Sequence, residues 1–131
     1  MSRETVLGKD AFLVSETDAK GVIKFANEDF CKIAGYSLEE LVGKPHNMVR
    51  HTDMPKKAFK SLWDTVKQGD IWTGYVKNAT KDGGYYWVFA TVYPFESSDG
   101  SNGYLSCRRK PTTEEIQKAE RLYEQWRKEE R

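Results

Sequence analysis

The sequence predicts an α+β chain built on an antiparallel sheet, and three observations carry that prediction. A short strand pair stands at the start, several short amphipathic helices occupy the middle, and two long β-branched and aromatic runs meet at a glycine turn. Ala11-Phe12-Leu13-Val14-Ser15 is the first apolar run, ending at the polar, turn-rich Glu16-Thr17-Asp18-Ala19-Lys20-Gly21. Val22-Ile23-Lys24-Phe25-Ala26 then reads as its hairpin partner. Asn27 caps the next helix, with Glu28 and Asp29 in its first turn, Phe30, Ile33 and Ala34 facing inward, and Gly35 ending it. Ser37 and Glu40 form a capping box around Leu38-Glu39-Glu40-Leu41. Pro55 to Gly69 reads as one helix, since Ala58, Phe59, Leu62, Trp63 and Val66 recur at helical spacing. Ile71 to Thr80 and Tyr85 to Phe95 are strands joined at Lys81-Asp82-Gly83-Gly84. A second turn, 97–103, leads to a last strand, Tyr104 to Lys110. Pro111 ends the sheet, and Thr112 with Glu115 opens a charged helix running to Arg131. Ile116, Ala119, Tyr123 and Trp126 form its apolar seam, suited either to the domain's own surface or to a second helix.

Composition narrows the function. At 131 residues the chain is one domain's worth, with 38% hydrophobic and 31% charged residues. A formal charge of +1 gives no support to nucleic-acid binding driven by phosphate neutralisation. No apolar run approaches the ~20 residues that cross a bilayer, and the N-terminus lacks a signal-peptide core, so a cytoplasmic location is expected. Cys31 and Cys107 stand alone, as reduced thiols do, and no metal-ligand set emerges. No nucleophile–base pair emerges either, which makes an enzyme the least favoured class.

The run Pro45-His46-Asn47-Met48-Val49-Arg50-His51-Thr52-Asp53-Met54-Pro55 is the most unusual stretch. It sets two histidines, an arginine, an aspartate and an amide between two prolines. Residue types leave two readings open: a polar connection that caps helix ends, or a ring of donors around a buried anionic or heterocyclic cofactor.

The order of elements, with Gly35-Tyr36-Ser37-Leu38-Glu39-Glu40-Leu41-Val42-Gly43-Lys44-Pro45 at its centre, resembles a PAS domain. The 45–55 run, Ile71-Trp72-Thr73-Gly74-Tyr75-Val76-Lys77-Asn78 and Gly84-Tyr85-Tyr86-Trp87-Val88 narrow the resemblance to the FAD-binding PAS domains of aerotaxis and energy-taxis receptors. It extends from about Asp10 to about Tyr123 and is strongest to the soluble PAS protein of bipartite energy-taxis systems. Such a fold implies about five antiparallel strands flanked by short helices, plus a C-terminal amphipathic helix. Its expected division is an N-terminal segment (1–10), a sensor domain (11–110) and a signalling or dimerisation helix (111–131).

The resemblance implies a non-enzymatic redox sensor whose cofactor is FAD. Its expected partner is a chemotaxis signalling protein of the HAMP and methyl-accepting type, or downstream domains of its own chain, with homodimerisation through the last helix. Trp72, Gly74, Val76 and Asn78 share one strand face, where Asn78 suits the flavin's donor-and-acceptor edge and Trp72 an aromatic wall. Arg50 and His51 suit the pyrophosphate or adenine, with Asp53 orienting them. His46, Asn27 and Trp87 complete the expected cofactor set. The absence of a phosphate-cradling glycine motif excludes a Rossmann-type site. Blue-light LOV domains resemble the chain around Asn78, Lys81, Gly83 and Trp87, but their reactive cysteine aligns with His46, so no photoadduct is expected. Haem-binding gas sensors and cofactor-free association modules are the alternatives within the same fold. Only His46 and His51 offer histidine ligation.

Overall fold

The computed structural model describes residues 3–130. Its elements run β1 (Leu13–Asp18), β2 (Ile23–Ala26), α1 (Glu28–Ala34), α2 (Leu38–Leu41), a 3-10 turn (His46–Val49), α3 (Lys56–Lys67), β3 (Trp72–Ala79), β4 (Tyr85–Glu96), β5 (Asn102–Arg109) and α4 (Thr113–Glu129). The end of the last helix expected at Arg131 lies outside the described residues.

All five strands form one antiparallel sheet in the order β2-β1-β5-β4-β3. The chain begins the sheet at one side, crosses over through three short helical pieces and α3, and returns from the far side. β1 and β5, at opposite ends of the sequence, therefore meet in the middle. β1 extends three residues beyond the apolar run that predicted it, to Asp18. The polar tail Glu16-Thr17-Asp18 stays extended because it pairs throughout with Leu105-Tyr104-Gly103 of β5. Tertiary pairing overrides local turn preference there.

Strand parity sorts the residues between two faces. On the inner face, beneath the short helices and α3, lie Ser15, Thr17, Val76, Asn78, Tyr86, Val88, Ala90, Val92, Ser106 and Arg108, all buried. Phe30, Leu13, Ile23, Leu41, Val49 and Val88 are fully buried and close the core around them. α1 forms as the sequence predicts, capped by Asn27 and ended by Gly35 in the left-handed region. Both expected capping boxes, Ser37–Glu40 and Thr112–Glu115, are present.

On the outer face, α4 docks against β3 and β4 through its apolar seam. Ala119 and Tyr123 are buried, and Trp87 stacks on Tyr123 with ring centres 6.2 Å apart. The Tyr123 hydroxyl donates to the Tyr75 carbonyl, and the Tyr75 hydroxyl donates to Glu115. Just beyond α4, the carboxylate of Glu130 accepts from the backbone N–H groups of Lys56 and Lys57, at 3.1 and 2.9 Å. That pairing places a negative charge on the positive end of the α3 dipole.

Residues 43–54 span the sheet from one edge strand to the other. At the β2 side, Gly43 N–H donates to Ile23 O, Ile23 N–H to Lys44 O, and His46 N–H to Gly21 O. At the β3 side, His51 N–H donates to Lys77 O, Lys77 N–H donates to Met54 Sδ, and Arg50 bridges Asn78. This strap roofs the inner face.

Candidate functional site

Beneath the strap and α3 lies a cavity of about 260 Å³. Its floor is the inner sheet face: Ser15 and Thr17 from β1, Tyr104, Ser106 and Arg108 from β5, Ala90 and Val92 from β4, Val76 and Asn78 from β3. α3 supplies Phe59, Leu62 and Trp63, the strap supplies Pro45, His46, Asn47 and Arg50, and the β1–β2 turn supplies Lys20 and Gly21. Trp63 stands edge-on to Tyr104 at 5.4 Å, forming an aromatic corner.

The electrostatics of the lining are one-sided. It carries Lys20, Arg50 and Arg108 and no Asp or Glu. Arg108 is 5% exposed and forms no ion pair among the described residues. Its guanidinium donates to the Ser106 carbonyl at 3.4 Å, to Ser15 Oγ at 3.0 Å and to His46 Nε2 at 2.9 Å, and it lies over the Phe30 ring. Burial pushes its pKa down to about 10, so it stays cationic at neutral pH.

His46 takes the complementary state. Burial, and secondarily the Arg108 charge, push its pKa down to about 3, so the ring is neutral. Because Arg108 only donates, Nε2 accepts, and geometry assigns the ring proton to Nδ1. Ser15 Oγ, 3.1 Å from the same nitrogen, closes the triangle.

Two polar groups remain short of partners. Ser106 Oγ is buried and unpaired among the described residues. Asn78 is 3% exposed, and its only side-chain bond among the described residues is a long 3.4 Å donation to Tyr86 Oη. A buried hydroxyl without a partner costs about 1–3 kcal/mol, and a ligand offering a donor or acceptor at the floor recovers it. Aromatic walls, a carboxamide, an unpaired hydroxyl and an uncompensated cation together suit a planar heterocycle bearing carbonyl oxygens and ring nitrogens.

The expected site residues divide between this cavity and other places. Asn78, His46 and Arg50 line it. The Arg50 guanidinium rests on Phe59, 3.4 Å from the ring centre, and burial lowers its pKa. Trp72 is on the predicted face but folds back over Gly74 and donates to Ser61 Oγ at 3.2 Å instead of lining the cavity. A Cβ on Gly74 would lie 2.5 Å from that indole, so the space left by this glycine is filled from within the strand.

His51 and Asp53 lie at the β3 edge, away from the lining. The His51 ring meets Tyr85 edge-on and accepts from Asp53 N–H, while burial and then Lys77 lower its pKa. Asp53 binds Lys77 at 2.8 Å and faces a small outer-face cleft with Arg127. Trp87 is on the outer face against Tyr123. Asn27 is committed to capping, accepting from Phe30 N–H and Val14 N–H and donating to Phe12 O. Arg108, Ser106, Ser15 and Lys20, which the sequence did not single out, belong to the lining.

A family model described as "PAS fold" matches residues 23–108, and the chain belongs to the PAS family. Within that family it is 47% identical over 121 residues to the aerotaxis receptor of Escherichia coli (strain K12), covering 92% of this chain and 24% of the receptor. It is 30% identical over 106 residues to the nitrogen fixation regulatory protein of Klebsiella pneumoniae, covering 80% of this chain and 21% of that protein. The chain thus spans about a quarter of the length of these relatives. Among solved structures, the PAS domain of a Colwellia psychrerythraea protein superposes with a TM-score of 0.61 at 26% identity, over 77% of this chain and 86% of that one.

Proposed function

We propose that this chain is a non-enzymatic, FAD-binding redox sensor of the energy-taxis or aerotaxis type, passing the flavin's redox state to a chemotaxis signalling partner in the cytoplasm. The observation that carries the reading is the cavity floor, where Arg108, Asn78 and the unpaired Ser106 hydroxyl converge under aromatic walls. Bound flavin supplies a proton-coupled redox couple. The chain's own residues respond to it. Asn78 presents an amide that both donates and accepts, and its weak bond to Tyr86 leaves it free to turn when the ligand's edge exchanges an acceptor for a donor. β3 carries that response outward, because its opposite face holds the α4 hooks, Tyr75 O and Tyr75 Oη. Residues 11–110 act as sensor and 111–131 as output helix, toward a HAMP or methyl-accepting type of partner, a second copy, or further domains of the same chain. Haem fits less well, since His46 Nε2 already accepts from Arg108 and His51 lies outside the cavity.

The test is direct. The purified protein should be yellow, with flavin bands and no Soret band, and acid should release FAD at close to one per chain. A colourless protein that stays apo with excess FAD refutes the reading.

A further inference from the structure

Three of the four α-helices carry a cap of their own. The side chains of Asn27, Ser37 and Thr112 accept from the first turns of α1, α2 and α4. α3 is built differently. Its N-cap is Pro55, which has no side-chain oxygen, and its first turn holds Lys56 and Lys57 but no acid. Two cations at the positive pole of the helix dipole disfavour that turn, and Pro55 leaves its leading N–H groups without a side-chain acceptor. The missing cap comes from 74 and 73 residues further along the chain, where the Glu130 carboxylate accepts from Lys56 and Lys57 N–H.

Two more contacts fasten the same end of α4 to the same place. Arg127 donates to the Asp53 carbonyl in the last stretch of the strap, and Lys57 Nζ lies 4.8 Å from the centre of the Trp126 ring. What this junction holds is a wall of the cavity. Ala58 in that first turn is buried, and Phe59 beside it lines the cavity and braces Arg50 of the strap. Leu62 and Trp63 continue the wall one turn later. The wall helix therefore takes the order of its first turn from the last turn of a helix that docks on the other face of the sheet.

We infer that α4 is the bolt of the cavity. With Glu130 in place the first turn of α3 stays closed over a ligand, and withdrawal of the end of α4 lets that turn fray and opens a passage. A passage serves entry and exit alike, so the bolt sets the rate of ligand exchange and leaves affinity to the cavity floor. A partner that takes hold of the end of α4 thereby sets how fast the cavity exchanges its contents. The inference rests on the functional reading only for the choice of FAD as ligand.

The test compares Glu130→Gln with wild type in two measurements. In ligand-free protein, the amides of residues 56–59 should exchange hydrogen about fivefold faster, while those of β4 and β5 keep their protection. With FAD followed by its fluorescence, the rate constants for binding and release should both rise about fivefold, and Kd should stay within about twofold of wild type. Lys56→Glu, which places an acid in the first turn itself, should undo both changes in the Glu130→Gln background. Unchanged exchange at 56–59 overturns the inference, and so do unchanged rate constants in protein that binds FAD. A weaker affinity at an unchanged binding rate, or protection lost across the whole sheet, would make Glu130 a residue of the site or of the fold and overturns it equally. Protein that binds no FAD refutes the functional reading, and the bolt is then decided by exchange at 56–59 and its rescue by Lys56→Glu.

Discussion

Replacing Arg108 by Met should raise the stability of the flavin-free protein while lowering its affinity for flavin. Arg108 is 5% exposed and pairs with no carboxylate among the described residues, so the fold carries the desolvation of a full charge, several kcal/mol in effect. Against this stand bonds of 3.0 and 2.9 Å to Ser15 Oγ and His46 Nε2 and a marginal 3.4 Å contact with a carbonyl. At about 1.5–3 kcal/mol for each good charge-assisted bond, the two bonds offset most of that cost but not all of it. Methionine of similar length removes the charge and strands neither partner, because Ser15 Oγ and His46 Nε2 remain 3.1 Å apart and bond each other. The expected gain is about 1–2 kcal/mol, readable as a rise of roughly 0.5–1 M in the urea midpoint at constant m. FAD affinity should fall by about tenfold or more, because the ligand loses its buried cation. The opposite pattern, an apo-protein weakened by more than about 2 kcal/mol with affinity intact, would show that Arg108 serves the fold and not the ligand.

Four further outcomes are expected. Since the folded His46 pKa is about 3 and the ordinary value about 6.5, only the unfolded state takes up this proton between them. Stability should therefore fall as pH drops below about 6.5, by up to about 1.4 kcal/mol per unit, and His46→Gln should flatten urea midpoints measured from pH 7 to 5. Gly74→Ala places a methyl group 2.5 Å from the Trp72 indole, so it should cost about 1–3 kcal/mol and shift tryptophan fluorescence, and a neutral effect would contradict the packing described. Tyr123→Ser with Trp126→Ser should release α4 to limited proteolysis while FAD is retained, and protection equal to wild type would sink the docking. Blue light should give no flavin–thiol adduct, because Cys31 and Cys107 both lie outside the cavity lining; a stable adduct in the visible spectrum would refute this.

The elements were legible because local chemistry and tertiary structure agree over most of the chain. Caps at Asn27, Ser37 and Thr112, the Gly35 stop and the Gly83-Gly84 turn all act where their residue types direct. The face shared by Trp72, Val76 and Asn78 followed from period-two alternation. What escaped depends on long-range pairing. Arg108 stands in Arg108-Arg109-Lys110, which reads as a solvated strand end, and only its register opposite Leu13 and Ala90 turns it into the core. Thr17 reads as part of a turn-rich segment, and only its pairing with Tyr104 of β5 makes it strand. Parity held a usable signal for Trp87, since Tyr86 and Val88 on either side face inward. The strap's chemistry was visible but not its path, so Arg50 lines the cavity while His51 and Asp53, beyond the bridge to Asn78, lie at the β3 edge outside it.

That strap has a consequence for colloidal behaviour. An open five-stranded sheet has two edges, each a template for recruiting a strand from another molecule. Here one stretch of 12 residues, 43–54, occupies backbone groups on both edge strands, β2 and β3, at once. Whatever steadies the roof from beneath therefore also guards both margins of the sheet. Loosening it would unmask the two sticky borders together, so emptying the cavity and self-association should rise in step.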